Sequence, residues 1–399
     1  MRKNLDKIIV LICLISTIAR YSLDSYLPSL PAIEAYFSAT HFTAQLTLTA
    51  YLLGFSVSQL VHGPLSDQYG RRKIIIYGLS IFIGSSLLAV FVNSIYELIL
   101  WRLLAGIGAG AAAVLNRAIA SDNYQGADFA NAWAYTTSTL TFVLILAPLI
   151  GGFIQDNFTW QANIVFTAAY VGCILFILFK YLPETNKYRG QYRLKPGYVL
   201  RDYFTMLFNK IFISNLLCYT CAFAGLIAYF QTSPFLFINT LGYSATQYGL
   251  ISLYIAASYF LSGLLIQRLI HKLGTQFMLV SGLILMGLAG ILMLLSYLGD
   301  LLNLYGILIP AIIYVIGARF VIPNAMAGSL GEFPKQAGCA AALIGFVQML
   351  GSAVTSFFIS FFYQENQLLL AFTFILLAGI ALLCFKYMTH KKRYLPHAN

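Results

Sequence analysis

A chain of 399 residues that is 60% hydrophobic and 9% charged, with a mean hydropathy of +0.79, is not an ordinary soluble domain, because those carry about 25% charged residues. The formal net charge of +11 raises nucleic acid as a partner, but the cations cluster between apolar runs, and that distribution excludes it. No metal-ligand spacing occurs among the five histidines (His41, His62, His271, His390 and His397) and no G-x-x-x-x-G-K-[ST] loop occurs, so neither a metal cofactor, an enzyme centre nor a nucleotide-driven pump is expected.

A membrane-crossing helix needs about twenty apolar residues, since it rises ~1.5 Å per residue against a hydrocarbon core of ~30 Å. Six such spans come first: 8–27, 44–63, 74–92, 97–116, 132–154 and 162–182. A polar, basic stretch, 183–209, follows. Six more spans are 211–231, 246–266, 276–297, 303–328, 338–362 and 368–386. The expected fold is all-α and integral to a membrane, with twelve transmembrane helices. It divides into an N-terminal half (1–182), a cytoplasmic linker (183–209) and a C-terminal half with its tail (210–399). No small-x-small cleavage site follows the first span, so it reads as a retained helix rather than a signal peptide.

Ionisable residues inside a membrane are costly and are functional candidates by default. In span 1, Asp24 is the only acid placed within a helix, in the run Asp24-Ser25-Tyr26-Leu27-Pro28-Ser29-Leu30-Pro31. A carboxyl group held in low dielectric can exchange a proton near neutral pH. Arg20 lies one turn earlier on the same face, so Asp24 reads either as a proton carrier or as half of a structural ion pair. If both hold, the pair breaks during the working cycle.

Spans 2 and 3 are joined by Gly63-Pro64-Leu65-Ser66-Asp67-Gln68-Tyr69-Gly70-Arg71-Arg72-Lys73. Its three consecutive cations pin the loop to the cytoplasm. Gly63 and Gly70 are expected to permit close helix approach and a tight turn. Asp67 and Arg71, four apart, pair if the turn is helical. Asp67 is also expected at the free N–H groups that open span 11.

In span 4, Arg102 is trailed by Gly106, Gly108 and Gly110, which allow close packing. Arginine keeps its charge, so it tunes a carboxylate or binds a polar cargo group rather than carrying a proton; the alternatives are a structural ion pair or snorkelling to the surface. Pro148, Gly151 and Gly152 in span 5 are expected to bend and loosen that helix. Cys218 and Cys221 form a C-x-x-C inside span 7 and read as small buried hydrophobes. In span 10, Pro323 frees the carbonyl of Arg319, which the guanidinium could cap; a role toward cargo is the other reading. Tyr26, Tyr51, Tyr135, Tyr229 and Tyr254 are candidate cavity aromatics among 27 tyrosines, most of which must serve packing or the interfacial belt.

Charge gives the topology. With both termini inside, 21 of the 24 cations fall in cytoplasmic segments, among them Lys187, Arg189, Arg193, Lys195, Lys335, Lys391, Lys392 and Arg393. The outer loops hold acids instead: Glu34, Glu97, Asp156, Asp300 and Glu365. Arg20, Arg102 and Arg319 fall inside spans, so the interior is formally +2 against Asp24, which favours neutral, zwitterionic or anionic cargo over cations. The loop after span 8, Gly263-Leu264-Leu265-Ile266-Gln267-Arg268 then His271-Lys272-Leu273-Gly274, looks like a degraded copy of the first motif, as a two-half transporter would show.

The segment from Gly63 to Lys73 resembles the cytoplasmic signature of the major facilitator superfamily. Ala147-Pro148-Leu149-Ile150-Gly151-Gly152 resembles the antiporter motif of drug exporters, with Val143 and Ala147 in place of two glycines. Asp24 to Pro31 resembles the D-x-Y-L-P-x-L-P opening of the Bcr/CflA branch of drug exporters. Gln45-Leu46-Thr47-Leu48, Arg102 with its glycines, Arg117-Ala118-Ile119 with Asp122, Leu182-Pro183-Glu184-Thr185, Pro323-Asn324-Ala325 and Phe333-Pro334-Lys335-Gln336-Ala337-Gly338 fit that branch too. Arg20 and Arg319 are not part of its pattern.

The resemblance implies a proton-coupled antiporter of the inner membrane that exports small amphipathic drugs or metabolites by alternating access. It would need no cofactor beyond the proton gradient and could work as a monomer in the bilayer. Asp24 and Arg102 would couple the proton. Arg20, Arg319 and the five tyrosines are candidate cargo contacts. Gly63, Asp67, Gly70, Arg71 and Arg72 would form the conformational gate, and Pro148, Gly151 and Gly152 the antiporter motif. An importer or metabolite facilitator of the same fold is the alternative.

Overall fold

The computed structural model describes residues 2–124, 126–186, 196–333 and 336–389. Lys187, Arg189, Arg193, Lys195, Pro334, Lys335, His390, Lys391, Lys392, Arg393 and His397 lie outside the described residues. All regular structure among the described residues is helical. In chain order the helices are α1 (Arg2–Asp24), α2 (Leu30–Tyr36), α3 (His41–Tyr69), α4 (Arg71–Leu88), α5 (Ile95–Asn123), α6 (Gly126–Asn157) and α7 (Trp160–Tyr181). Then come α8 (Pro196–Phe208), α9 (Lys210–Pro234), α10 (Ala245–Leu298), α11 (Leu304–Gly331), α12 (Ala337–Phe362) and α13 (Leu368–Thr389). Among the described residues, eleven segments are long and apolar enough to cross a membrane. The expected third span, α4, is only 18 residues and opens on Arg71, Arg72 and Lys73, which shortens its apolar stretch.

Helix starts follow the side chains that satisfy their free N–H groups. Thr40 accepts from Thr43 N at the head of α3, Ser94 from Tyr96 N at α5, and Thr159 from Ala162 N at α7. Asn209 accepts from Ile211 N and Phe212 N at α9, and Asn303 from Gly306 N at α11.

Several boundaries differ from expectation. The first span does not end at 27: after Asp24 the chain makes a short 3-10 turn, Leu27–Ser29, and continues as α2 to Tyr36. Pro28 and Pro31 sit at the starts of those two elements, where a missing N–H costs no helical bond. The linker is not wholly irregular, since α8 occupies Pro196–Phe208. Spans 8 and 9 run together as α10 and part only at Gly274, whose φ of 77° and ψ of 161° break the helix. Gly70, between α3 and α4, has a φ of 101° and ψ of 147°. The two loops that read as copies thus turn on a left-handed glycine at matching places, the conformation a side chain resists.

The residues group into two compact units. Unit 1 comprises Met1–Lys195 with Tyr243–Leu253, and unit 2 comprises Pro196–Gly242 with Tyr254–Asn399. In unit 1, α3 and α5 meet most closely. A Cβ on Gly54 would strike the carbonyl of Leu103, one on Gly106 the carbonyl of Tyr51, and one on Gly110 the hydroxyl of Ser58. Gly63 was expected to serve this purpose and does not: a Cβ there would meet only Val114, at an ordinary 3.6 Å. In unit 2, Tyr314 of α11 is fully buried, stacks on Phe374 at 3.9 Å and donates to the carbonyl of Cys221. Cys218 and Cys221 are free and buried, packed as small apolar groups.

Candidate functional site

The functional residues of unit 1 collect where α1, α3 and α5 meet. Asp24 ends α1 and is 0% exposed. Its Oδ2 accepts from Arg20 Nε at 2.5 Å, and its Oδ1 is buried with no hydrogen-bond partner. The ion pair anticipated from the i, i+4 spacing is therefore formed. Half of the carboxylate is still unengaged, and a buried oxygen in that position is a seat for a proton or a donor. The Arg20 side chain keeps 22% exposure, so the pair is asymmetric: the acid is sealed and the base reaches an accessible surface.

Arg102 of α5 is 5% exposed. Its guanidinium lies 3.9 Å from the ring centroid of Tyr26 and 4.5 Å from that of Tyr51. Its Nε and one terminal nitrogen have no hydrogen-bond partner, and no carboxylate pairs with it among the described residues. Cation–π contacts are worth up to about 2 kcal/mol each when desolvated. The rings are themselves fixed: Tyr26 Oη donates to Thr47 Oγ1 at 2.9 Å, and Tyr51 Oη and Ser22 Oγ share a hydrogen bond of 2.7 Å. The result is a buried cation held between two aromatic faces, with donors left over; one of those faces, Tyr26, lies two residues beyond Asp24.

The glycines of α6 position this site. A Cβ on Gly151 would strike the carbonyl of Ser25, one residue beyond Asp24, so α6 lies directly on the end of α1. Asn163 of α7 holds the same carbonyl with a 2.6 Å hydrogen bond. Gly152 lies against Ala245, within unit 1. α6 is continuous through Pro148 from Gly126 to Asn157. Gly151 and Gly152 thus serve close approach.

The other predicted cavity residues scatter. Tyr135 is 59% exposed and lines, with Tyr124 and Asp128, a cavity of about 490 Å³ whose lining does not include Asp24. Tyr254 is 61% exposed, and Tyr229 is buried in unit 2 against Phe230. Arg319 of α11 donates to Tyr259 Oη at 3.1 Å rather than capping the carbonyl freed by Pro323.

The motif between α3 and α4 forms a second polar cluster. Arg71 pairs with Asp67 Oδ1 at 2.5 Å and with Asp122 Oδ2 at 3.0 Å, and also donates to Ser66 Oγ. Glu184 accepts from Arg71 N at 2.9 Å and Arg72 N at 3.3 Å, so its carboxylate caps α4 from beyond α7. Arg72 donates to the carbonyl of Phe179. Asp67 and Arg71 were expected to pair if the turn were helical; they pair although Gly70 breaks the helix between them. Glu184 as a cap was not expected, although the acid just after a helix-ending proline was the available signal. Gly70 is required here twice over, by its positive φ and because a Cβ would collide with the Glu184 carboxylate. Gly70→Ala is expected to cost about 1–3 kcal/mol through backbone strain and to displace Glu184, read as a lowered Tm with cargo affinity unchanged.

A family model described as Major Facilitator Superfamily matches residues 12–356. The chain belongs to the major facilitator superfamily. Members of this superfamily are multi-pass membrane transporters, so the chain is a transporter and not an enzyme. It is 28% identical over 383 residues to multidrug resistance protein D of Escherichia coli K12, covering 96% of this chain and 95% of that one. It is 26% identical over 381 residues to the bicyclomycin resistance protein homolog of Haemophilus influenzae, covering 95% of each. Among solved structures it is similar to the partially occluded inward-open form of the xylose transporter XylE from E. coli, with a TM-score of 0.76, 14% identity and coverage of 99% and 98%. That likeness speaks for the superfamily fold alone.

Proposed function

We propose that this transporter is a proton-driven antiporter that exports small amphipathic molecules across the inner membrane, with both termini in the cytoplasm. The observation that carries the reading is Asp24: a fully buried acid with one oxygen held by Arg20 and the other unpartnered. A proton arriving at Oδ1 neutralises the carboxylate and weakens its hold on Arg20. Cargo and proton then alternate at one site as access alternates. The relatives named for multidrug and bicyclomycin resistance support export as the direction. Pairing leaves Arg102 and Arg319 without an acid, which favours neutral, zwitterionic or anionic cargo. The Asp67–Arg71–Asp122 cluster with Glu184 holds the cytoplasmic end of unit 1 as one block, and breaking it is expected to shift conformational populations rather than affinity. The protein is proposed to act as a monomer.

Direction is tested in inside-out vesicles with an acid interior. Neutral or zwitterionic antibiotics accumulate in the lumen, and dissipating the pH gradient abolishes the accumulation. Ethidium-like cations transported at the same rate would contradict the charge reading. Gradient-driven loss of cargo from the lumen would make the protein an importer.

A further inference from the structure

The two units carry matching helix pairs whose register is fixed by glycine. In unit 1, Gly78 and Gly108 face one another: a Cβ on Gly108 would strike the Gly78 carbonyl, and one on Gly78 would strike the Ala111 side chain and crowd the Gly108 carbonyl at 3.2 Å. In unit 2, Gly282 and Gly317 face one another likewise, and a Cβ on either would strike the other's carbonyl. Together with the turn glycines Gly70 and Gly274, these pairs align α3 and α4 with α10, and α5 with α11. In that alignment Arg319 stands where unit 1 has Gly110, Tyr259 where it has Phe55, and Gly263 where it has Gln59. Unit 1 closes this place, with Gly110 against Ser58 and the carbonyl of Phe55. Unit 2 instead holds a guanidinium there, 4.5 Å from the Tyr259 ring centroid and hydrogen-bonded to its hydroxyl. Gly263 leaves the room for it: a Cβ there would come within 3.1 Å of the guanidinium.

The charge at this place has no counter-ion. Arg319 Nε is buried without a partner, and no carboxylate pairs with Arg319 among the described residues. A packing role would be served by the glycine that unit 1 uses, so a cation introduced together with a hydroxyl, both half-exposed, is arranged for a ligand. Depth narrows the ligand. Arg319 lies about 22 Å from the start of α11 and about 18 Å from its end. That is close to the middle of the helix, far from the phosphate layers on either side of a ~30 Å hydrocarbon core, and at the level where carriers hold their substrates.

We propose that Arg319 and Tyr259 form an anion subsite that takes the carboxylate of a small amphipathic cargo, the guanidinium supplying charge and the tyrosine hydroxyl orientation. The proposal rests on the transporter reading above and specifies the cargo class. It is independent of proton coupling and direction, so its test is equilibrium binding rather than transport. The full-length protein in nanodiscs of phosphatidylcholine is titrated with benzoate-type aromatic carboxylates and with their methyl esters, followed by Tm shift. The acid is expected to bind and the ester to bind at least about tenfold more weakly, the loss of one charge-assisted contact. Arg319→Gln is expected to abolish the preference for acid over ester, and Arg319→Lys to keep part of it. Tyr259→Phe weakens the acid only. Equal binding of acid and ester, or an unchanged preference in Arg319→Gln, overturns the proposal. A stabilisation that appears only in phosphatidylglycerol nanodiscs and vanishes in Arg319→Gln also overturns it, by assigning the site to a lipid headgroup.

Discussion

Asp24→Asn yields a protein that folds and still exchanges cargo for cargo but no longer concentrates it. An imposed difference of two pH units can drive at most about a hundredfold accumulation for one proton exchanged per cargo, and the variant is expected to show none. The substitution is mild for the structure. The asparagine oxygen still accepts from Arg20, whose side chain is 22% exposed and can turn to the surface. The lost charge-assisted bond costs about 1–3 kcal/mol. What disappears is the proton seat at Oδ1, the oxygen left without a partner. Accumulation together with cargo exchange is therefore the informative pair of readouts: loss of both would mean that the substitution has damaged the site, and loss of the first alone isolates coupling.

Arg102→Leu is expected to abolish transport and yet to leave stability unchanged or raised by about 1–4 kcal/mol. Two cation–π contacts favour the arginine by up to about 4 kcal/mol together. Against them stand a desolvation penalty of several kcal/mol with no carboxylate to offset it, and two buried donors at about 1–3 kcal/mol each. The penalty is the larger sum. A buried charge retained at such a cost is a signature of function rather than of folding. Arg102→Lys keeps the charge but not the planar group that fits between Tyr26 and Tyr51, and is expected to fail in transport as well. A strong loss of Tm in Arg102→Leu would contradict this and make the residue structural.

The parts of the site that lie within one helix or one loop were legible in the sequence. Arg20 and Asp24 are one helical turn apart, and Asp67 and Arg71 are four residues apart across the Gly70 break; both pairs form, the second without the helical turn on which it was expected to depend. Asp24 stood out because an acid in an apolar run has few innocent explanations. Contacts across helices were less legible. Nothing in the chain order distinguishes Tyr26 and Tyr51, which clasp Arg102, from Tyr135 and Tyr254, which do not; the choice depends on which faces α1, α3 and α5 turn to one another. The same limit misplaced Gly63 as the close-approach residue when Gly54, Gly106 and Gly110 hold that role. Helix ends beside proline were also misjudged. The first span was expected to end at 27, but Pro28 and Pro31 each sit at the start of a further helical element, where a fixed φ is an advantage. In α6 the helix runs on through Pro148, and Gly151 and Gly152 are where Ser25 and Ala245 approach it.

The most direct test is proton release from inside-out vesicles with an acid interior when a neutral or zwitterionic cargo is added, comparing wild type with Asp24→Asn. Asp24 as the proton carrier predicts that cargo collapses the pH gradient in wild-type vesicles, with about one proton per cargo because Asp24 is the only buried acid among the described residues, and that it has no effect in the variant. If both proteins release protons alike, coupling lies elsewhere and the Arg20–Asp24 pair is a structural element of the first helix.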